Sequence, residues 1–154
     1  MSDTITASGQ NTLTLDIVTP ERKVFGGDIT FVVVPGLEGE LGILAGHMSL
    51  LSRLKTGELH FTTVNEVKYM AISGGFVEVR DNIVTVAAEV AEFASEIDVS
   101  RVLQAKEQAL EKVEKSKQEW EIRKAEQQLE WIETQLDVAK RASALAGADK
   151  QATY

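Results

Sequence analysis

Residues 98–146 read DVSRVLQAKEQALEKVEKSKQEWEIRKAEQQLEWIETQLDVAKRASALA and contain neither glycine nor proline. Glycine and proline interrupt regular structure, so a stretch of this length without them predicts continuous helix. By contrast, residues 1–95 hold 10 of the chain's 11 glycines and both of its prolines. The sequence therefore divides into an N-terminal part rich in turn signals and a helical C-terminal part.

Composition limits the classes of protein to which the chain can belong. It has 154 residues, no cysteine and a formal net charge of −8, which excludes disulfides and cysteine-based zinc sites. Residues 1–97 carry 13 acidic and 6 basic side chains, a net charge of −7. Nucleic acids need clustered lysine and arginine, so a basic protein surface is the better partner for this acidic part. No apolar run is long enough to span a membrane. Residues 1–12 are polar and predict a flexible arm rather than a signal peptide.

The N-terminal part shows the pattern of an antiparallel β sandwich over residues 13–95. Leu13, Leu15 and Ile17 alternate with residues of the opposite face, as in a strand with one side in a core. Residues 29–34 are β-branched and aromatic and predict a strand that Pro35 ends. Further strands are predicted over residues 58–64, 67–72, 76–80 and 83–87, with tight turns at Asn65-Glu66 and Asp81-Asn82. Short strands at this spacing are typical of a sandwich.

A glycine-rich segment, residues 35–47, lies between the second predicted strand and the later ones. Its glycines indicate positive-φ turns or close backbone approach. A phosphate-binding loop would continue into Gly-Lys-Ser/Thr and a helix, and neither follows. Glu38 and Glu40 have the chemistry of an acid/base pair, but two acids on such a segment more often form a solvated tip. With only His47 and His60 available, the sequence predicts no metal site and no catalytic residues.

The C-terminal part predicts two helices folded as a hairpin over residues 98–146. Asp98 is a good N-cap for the first helix. Apolar residues recur at helical spacing in both helices: Val99, Val102, Leu103, Ala109, Leu110 and Val113, then Ile122, Ala125, Leu129, Ile132, Leu136 and Ala139. The break is predicted between Glu114 and Trp120, and residues 147–154 are predicted to be a flexible tail. Because the seams contain alanine, we expect a marginal hairpin that exchanges between docked and extended forms, with a permanent structural hairpin as the alternative.

Several short motifs occur in one order along the chain and resemble one known family. They are Gly39-Glu40-x-Gly42-Ile43-x-x-Gly46-His47, Leu54-x-x-Gly57, Gly74-Gly75-x-x-Glu78-Val79, Asn82-x-Val84-Thr85-Val86 and Ile97-Asp98-x-x-Arg101. Together they resemble the epsilon subunit of bacterial and chloroplast F-type ATP synthase, the counterpart of mitochondrial delta. The resemblance covers residues 13 to about 139.

This resemblance implies a ten-stranded β sandwich followed by two helices, in a non-catalytic subunit at the base of the rotor's central stalk. By position in the motif, Glu40, and less directly Glu38, would face the ring of c subunits, while His47, Met48 and Leu50 would lie against gamma. The extended helices would reach the alpha/beta catalytic head and block ATP hydrolysis. The chain would then be peripheral, at the cytoplasmic face of a bacterial plasma membrane.

Some members of this family bind ATP at the helices, and this chain matches their pattern only in part. Ile97, Asp98 and Arg101 match the start of the first helix, whereas Val102 stands where alanine is usual. Trp131 and Gln135 occupy the second-helix positions where the binders carry arginine. A site without those guanidinium groups lacks its main phosphate partners. We therefore expect no cofactor.

Without the resemblance, the residues support two other interpretations. One is an adaptor or chaperone-like binding module that grips partners with its coiled-coil helices. The other is a hydrolase using Glu38 and Glu40, which would need a concave pocket beside them. The residues leave open whether the coupling ion is a proton or sodium, and whether the chain is bacterial or a processed organellar one.

Overall fold

The structure is a computed structural model that describes the backbone of residues 11–151 and the side chains of residues 11–148. Residues 1–10 of the predicted arm and 152–154 of the predicted tail lie outside the described residues. Ten strands come first: β1 (Leu13–Val18), β2 (Lys23–Ile29), β3 (Phe31–Gly36), β4 (Gly39–Leu44), β5 (Leu50–Leu54), β6 (Gly57–Thr62), β7 (Val67–Ser73), β8 (Gly75–Arg80), β9 (Ile83–Ala87) and β10 (Val90–Phe93). A 3-10 turn (Ala94–Glu96) and helices α1 (Val99–Lys115) and α2 (Glu119–Gln151) follow. A β domain followed by two helices was the predicted fold, and it is confirmed.

The strands form one continuous sheet that folds over on itself into a sandwich. Its order is β10-β7-β6-β3-β5-β8-β9-β1-β2, with β4 paired to β3, and every pairing is antiparallel except that of β1 with β9. The two halves of the sheet join at the pair Gly36–Leu54. The halves face each other, since the rings of Phe25 in β2 and Phe61 in β6 lie 4.4 Å apart.

The interior of the sandwich is filled by alternate residues of the strands. In β1, the predicted inward residues Leu13, Leu15 and Ile17 are each at most 1% exposed. In β7, Met70 and Ile72 point into the same core. Burial of each such side chain contributes about 1.5–3 kcal/mol, so the sandwich has a core of its own.

Pro35 does not end a strand, contrary to the prediction. The predicted strand over residues 29–34 is divided at Thr30: Ile29 closes β2, and β3 continues through Pro35 to Gly36. Proline is tolerated here because β3 changes neighbours at this point, from β6 at Val33 to β5 at Gly36.

Four strands, β2, β4, β5 and β10, were not predicted from residue pattern. The glycine-rich segment forms β4, in which Gly42 is extended and lies against the ring of Phe31, 3.2 Å from the position of an added Cβ. Positive φ occurs only at Gly39 and Gly46 among the glycines of that segment. The resemblance to the family had implied ten strands, and that number is confirmed.

The two helices form the predicted hairpin, and the break falls at residues 116–118. Asp98 caps α1, since its Oδ1 accepts a hydrogen bond from the backbone N–H of Arg101 at 3.2 Å. α2 continues through Gly147 to Gln151. The sequence had instead predicted that the helical part ends at Ala146 and that a flexible tail follows. The predicted α1 seam is partly wrong: Val102 and Ala109 are buried, whereas Val99, Leu103 and Leu110 are 44–49% exposed. These three lie on a neighbouring face of α1 that α2 does not cover.

Replacing Gly75 by alanine should destabilise the sandwich by about 2–4 kcal/mol. Gly75 has φ of +117°, and an added Cβ would lie 1.9 Å from the carbonyl oxygen of Ala87. Gly27→Ala is the matched control, because its Cβ would meet only the ring of Phe25 at 3.4 Å. Urea unfolding of both variants measures the difference, and equal midpoints would contradict the account of Gly75.

Candidate functional site

Glu38 and Glu40 lie at the tip of the hairpin between β3 and β4. Gly39 separates them with φ of +137°, a backbone conformation that favours glycine. Both glutamates are exposed, and among the described residues neither carboxylate has an ion pair or hydrogen bond. Neither lines a described pocket. The geometry is that of a projecting acidic tip, which suits contact with another surface and gives a hydrolase no cleft.

His47 and Met48 lie in the loop that joins β4 to β5. Nδ1 of His47 is 2.8 Å from the carbonyl oxygen of Met48. The backbone N–H of His47 donates to the carbonyl oxygen of Leu44 at 3.1 Å. The loop is also held by Asn82, whose Oδ1 accepts from the N–H of Gly46 at 2.7 Å. Met48 is 77% exposed. Leu50, by contrast, is half-buried and packs against the sandwich core.

Next to this loop lies an apolar surface that we call the outer patch, formed by Met48, Leu51 and Phe76. Leu51 is opposite Glu78 and Phe76 is opposite Arg53, so both apolar side chains are on the outer face of β5 and β8. They are 71% and 50% exposed. An exposed group of large apolar side chains indicates a docking surface. The sequence alone does not decide whether Leu51 belongs to the core or to a docking patch, and it places Phe76 only in the predicted strand over residues 76–80.

The helical hairpin packs on a different surface, the docking face, formed by Glu58, Ala71 and Glu92. Ala71 of β7 is opposite Glu58 of β6 on one side and Glu92 of β10 on the other. All three point away from the sandwich core, and Ala71 is fully buried beneath the helices. Ala71 packs with apolar residues of the hairpin and of the junction before it, and we call this group the docked cluster. Its other buried members are Ile97, Val102, Ala109, Ile132, Val138 and Ala139.

Two side chains of α2 bind the two carboxylates of the docking face. Nε2 of Gln135 donates to Oε2 of Glu92 at 2.6 Å. Nη1 of Arg141 donates to Oε1 of Glu58 at 2.8 Å. This surface was not predicted, because its partners are far apart in the sequence: Glu92 and Gln135 are separated by 43 positions, and Glu58 and Arg141 by 83. No local motif marks them.

The residues predicted at the start of the first helix lie at the junction between sandwich and hairpin. Ile97 is 9% exposed and belongs to the docked cluster. Asp98 serves as the N-cap, and the exposed side chain of Arg101 has no ion pair among the described residues. Trp131 packs on the docked cluster and Gln135 is bound to Glu92. Packing and hydrogen bonding within the protein therefore occupy these positions.

The described residues contain neither a cluster of metal-ligating side chains nor a helix suited to crossing a membrane. Over residues 11–148, no three of the side chains histidine, aspartate and glutamate come together in a way that would hold a metal ion. No helix within the described part of the chain is both long and apolar enough to cross a membrane.

Family comparison agrees with this arrangement of a sandwich and two helices. Residues 12–94 match the model of the ATP synthase delta/epsilon chain β-sandwich domain, and residues 95–140 match the long alpha-helix domain of the same chains. The chain belongs to the ATP synthase delta/epsilon family. It is accordingly a subunit of the epsilon type, which is non-catalytic.

Individual relatives support the assignment, and one solved structure has the same fold. The chain is 44% identical to the ATP synthase epsilon chain of Halalkalibacterium halodurans over 131 residues, which are 84% of this chain and 98% of the relative. It is 50% identical to that of Syntrophomonas wolfei over 106 residues, 68% of this chain and 77% of the relative. A chain of the Euglena gracilis mitochondrial ATP synthase (OSCP/F1/c-ring, rotational state 1) has the same fold, with a TM-score of 0.73, 24% identity and coverage of 94% of this chain and 89% of that one.

ATP should not bind this chain measurably at millimolar concentration. The second helix offers Trp131 and Gln135 where a phosphate-binding site needs guanidinium groups, and both side chains are already engaged. Isothermal titration calorimetry of the isolated chain with ATP tests this, with magnesium alone as the control. A saturable heat at one ATP per chain would contradict the prediction.

Proposed function

We propose that this chain is a central-stalk rotor subunit of an F-type ATP synthase that couples rotation of the c-ring to gamma. One observation carries the proposal. The sandwich has two separate exposed surfaces, the acidic tip and the outer patch, in addition to the docking face that holds the helices. The acidic tip and the outer patch remain exposed when the hairpin is docked. A subunit that joins two rotor components needs two such surfaces.

The acidic tip is the proposed contact with the c-ring. Glu40, with Glu38 beside it, would pair with basic groups on the ring's polar loops. The net charge of −7 over residues 1–97 favours the same encounter. Exposed ion pairs contribute only about 0–1 kcal/mol, so these glutamates set register and association rate more than affinity.

The outer patch is the proposed contact with gamma, together with the His47–Met48 loop. Burying Leu51 and Phe76 against a partner gains about 1.5–3 kcal/mol for each fully covered side chain. Leu50 supports this contact from beneath by packing on the core. This assignment moves the predicted gamma surface from Leu50 to its exposed neighbour Leu51.

The hairpin is the proposed regulatory element, docked in the structure and extended along gamma in an inhibited enzyme. The docked cluster has seven buried residues, three of which are alanines, so it is smaller than the sandwich core with its 17 buried residues. Two hydrogen bonds to carboxylates add about 1–3 kcal/mol each at most. A partner that binds the extended form about 100-fold better would shift the balance towards that form by about 2.7 kcal/mol. In a bacterium, the assembled subunit would lie at the cytoplasmic face of the plasma membrane.

Leu51→Asp should abolish co-purification of this chain with gamma, because it places a charge in the centre of the outer patch. Glu40→Gln should leave gamma binding unchanged, weaken retention of the c-ring about two- to five-fold at low salt and make that retention less dependent on salt. Val64→Asp, at an 84% exposed turn residue, is the control for an added surface charge. Wild-type protein that binds neither gamma nor the c-ring would favour the adaptor interpretation.

Removing residues 98–154 should raise the ATP hydrolysis rate of the assembled enzyme. Fixing the hairpin in its docked form should do the same without deletion. Glu92→Cys with Gln135→Cys places two thiols where the side chains now touch, and the chain has no other cysteine. Coupling the two thiols with a short bis-maleimide holds α2 on the docking face. Hydrolysis that is unchanged by both treatments, with assembly intact, would contradict the inhibitory role.

A further inference from the structure

One oxygen of the docking face has two cationic or potentially cationic partners from different parts of the molecule. Oε1 of Glu58 accepts from Nη1 of Arg141 at 2.8 Å and lies 3.2 Å from Nδ1 of His60. The side chains of Glu58 and His60 are only 15% and 22% exposed, whereas Arg141 is 56% exposed. We call these three residues the Glu58 cluster. Arg141 belongs to the hairpin, and the other two belong to β6.

Among the described residues, Glu58 and Arg141 are the charged side chains that contact His60 or share its carboxylate partner. From β7, Tyr69 lies opposite His60 with the two rings 5.4 Å apart. From β3, the opposite residue is the apolar Val33. The remaining nearby charges are occupied or exposed: Lys68 pairs with Glu66, Glu92 is bound by Gln135, and Asp137 and Lys140 of α2 face solvent.

Protonation of His60 therefore changes the docked and undocked forms unequally. In the docked form the Glu58 cluster goes from a net charge of 0 to +1, because two cations then share one carboxylate. With the hairpin undocked, Arg141 is in water, and Glu58 with His60 goes from −1 to 0. A surplus positive charge in a half-buried site is unfavourable, whereas a neutral pair is favourable. Acidification thus opposes docking.

We propose that the Glu58 cluster is a pH-sensitive latch, in which protonated His60 displaces Arg141 from Glu58 and releases the helical hairpin. Histidine is the side chain that ordinarily changes charge between about pH 5 and pH 8. Arg141 lies directly after residue 140, where the match to the family's helical domain ends. The latch therefore depends on the part of α2 that extends beyond the matched domain.

The consequence for the enzyme rests on the proposed function, in which the released hairpin inhibits ATP hydrolysis. Acidification on the side of the membrane that holds the sandwich would then favour inhibition. Hydrolysis would slow when protons accumulate there.

The test uses the isolated full-length chain and measures how often the hairpin undocks. Val138→Cys places the chain's only thiol in α2 at a position that is fully buried in the cluster under the hairpin, and cysteine is smaller than valine, so it does not hold the helices away from the sheet. Its rate of modification by a small thiol reagent reports undocking, after division by the rate for Val64→Cys, which is 84% exposed in the turn between β6 and β7. The division removes the pH dependence of thiol reactivity itself. We expect the ratio to be about three- to five-fold larger at pH 5.5 than at pH 8.

The chain has only two histidines, which provides a matched pair of variants. His60→Gln, or His60→Asn if glutamine disturbs β6, should remove the pH dependence. His47→Gln, in the loop beside the outer patch, should leave it unchanged. Arg141→Met should raise undocking at pH 8 to about the wild-type level at pH 5.5.

A ratio that does not change with pH, or a pH dependence that survives replacement of His60, would overturn the latch. Because no other subunit is present, these outcomes are independent of the tests with gamma, the c-ring and ATP hydrolysis. A working latch in a chain that does not inhibit hydrolysis would contradict the proposed function alone.

Discussion

Strand β7 supports both parts of the molecule at once, and the rest of the structure depends on this. Alternate residues of a strand point to opposite faces of its sheet. Met70 and Ile72 therefore enter the sandwich core, while Ala71 between them lies under the hairpin. Alanine at this position has no side chain beyond Cβ, so the helices approach the sheet closely enough for α2 to reach Glu58 and Glu92.

The two surfaces of β7 contribute very different amounts of free energy. Inside the sandwich, β7 joins a core of leucine, isoleucine, valine and phenylalanine contributed by nine of the ten strands. Outside it, the cluster contains three alanines, and Ala71 is its only member from a strand. The sandwich can thus keep its structure when the hairpin leaves, whereas the hairpin loses both of its carboxylate partners. This asymmetry is what a subunit with a fixed head and a releasable helical part requires.

The features of the fold that the sequence predicted are those set by residues close together in the chain. The alternation of Leu13, Leu15 and Ile17, the Asp98 cap and the break before Trp120 are local patterns, and the structure bears them out. Strands β2 and β4 were missed because glycine is rare in strands, and β10 because it has only four residues. The outer patch depends on the register of β5 with β8, and the docking face joins residues up to 83 positions apart. Pairings at that separation leave no mark in a single sequence.

Part of the apolar surface of α1 stays uncovered in the docked hairpin, and the proposed extended form could bury it against a partner. Val99, Leu103 and Leu110 keep 44–49% of their surface in water when the hairpin is docked. Covering the rest of these three side chains against another protein would gain about 2–4 kcal/mol. Undocking loses the two hydrogen bonds of α2 and the apolar contacts of the docked cluster, a cost that this gain would offset in part. The docked form satisfies the polar groups of the docking face but leaves part of the apolar surface of α1 uncovered. An extended form would reverse that compromise, which is the physical basis of the proposed exchange between the two forms.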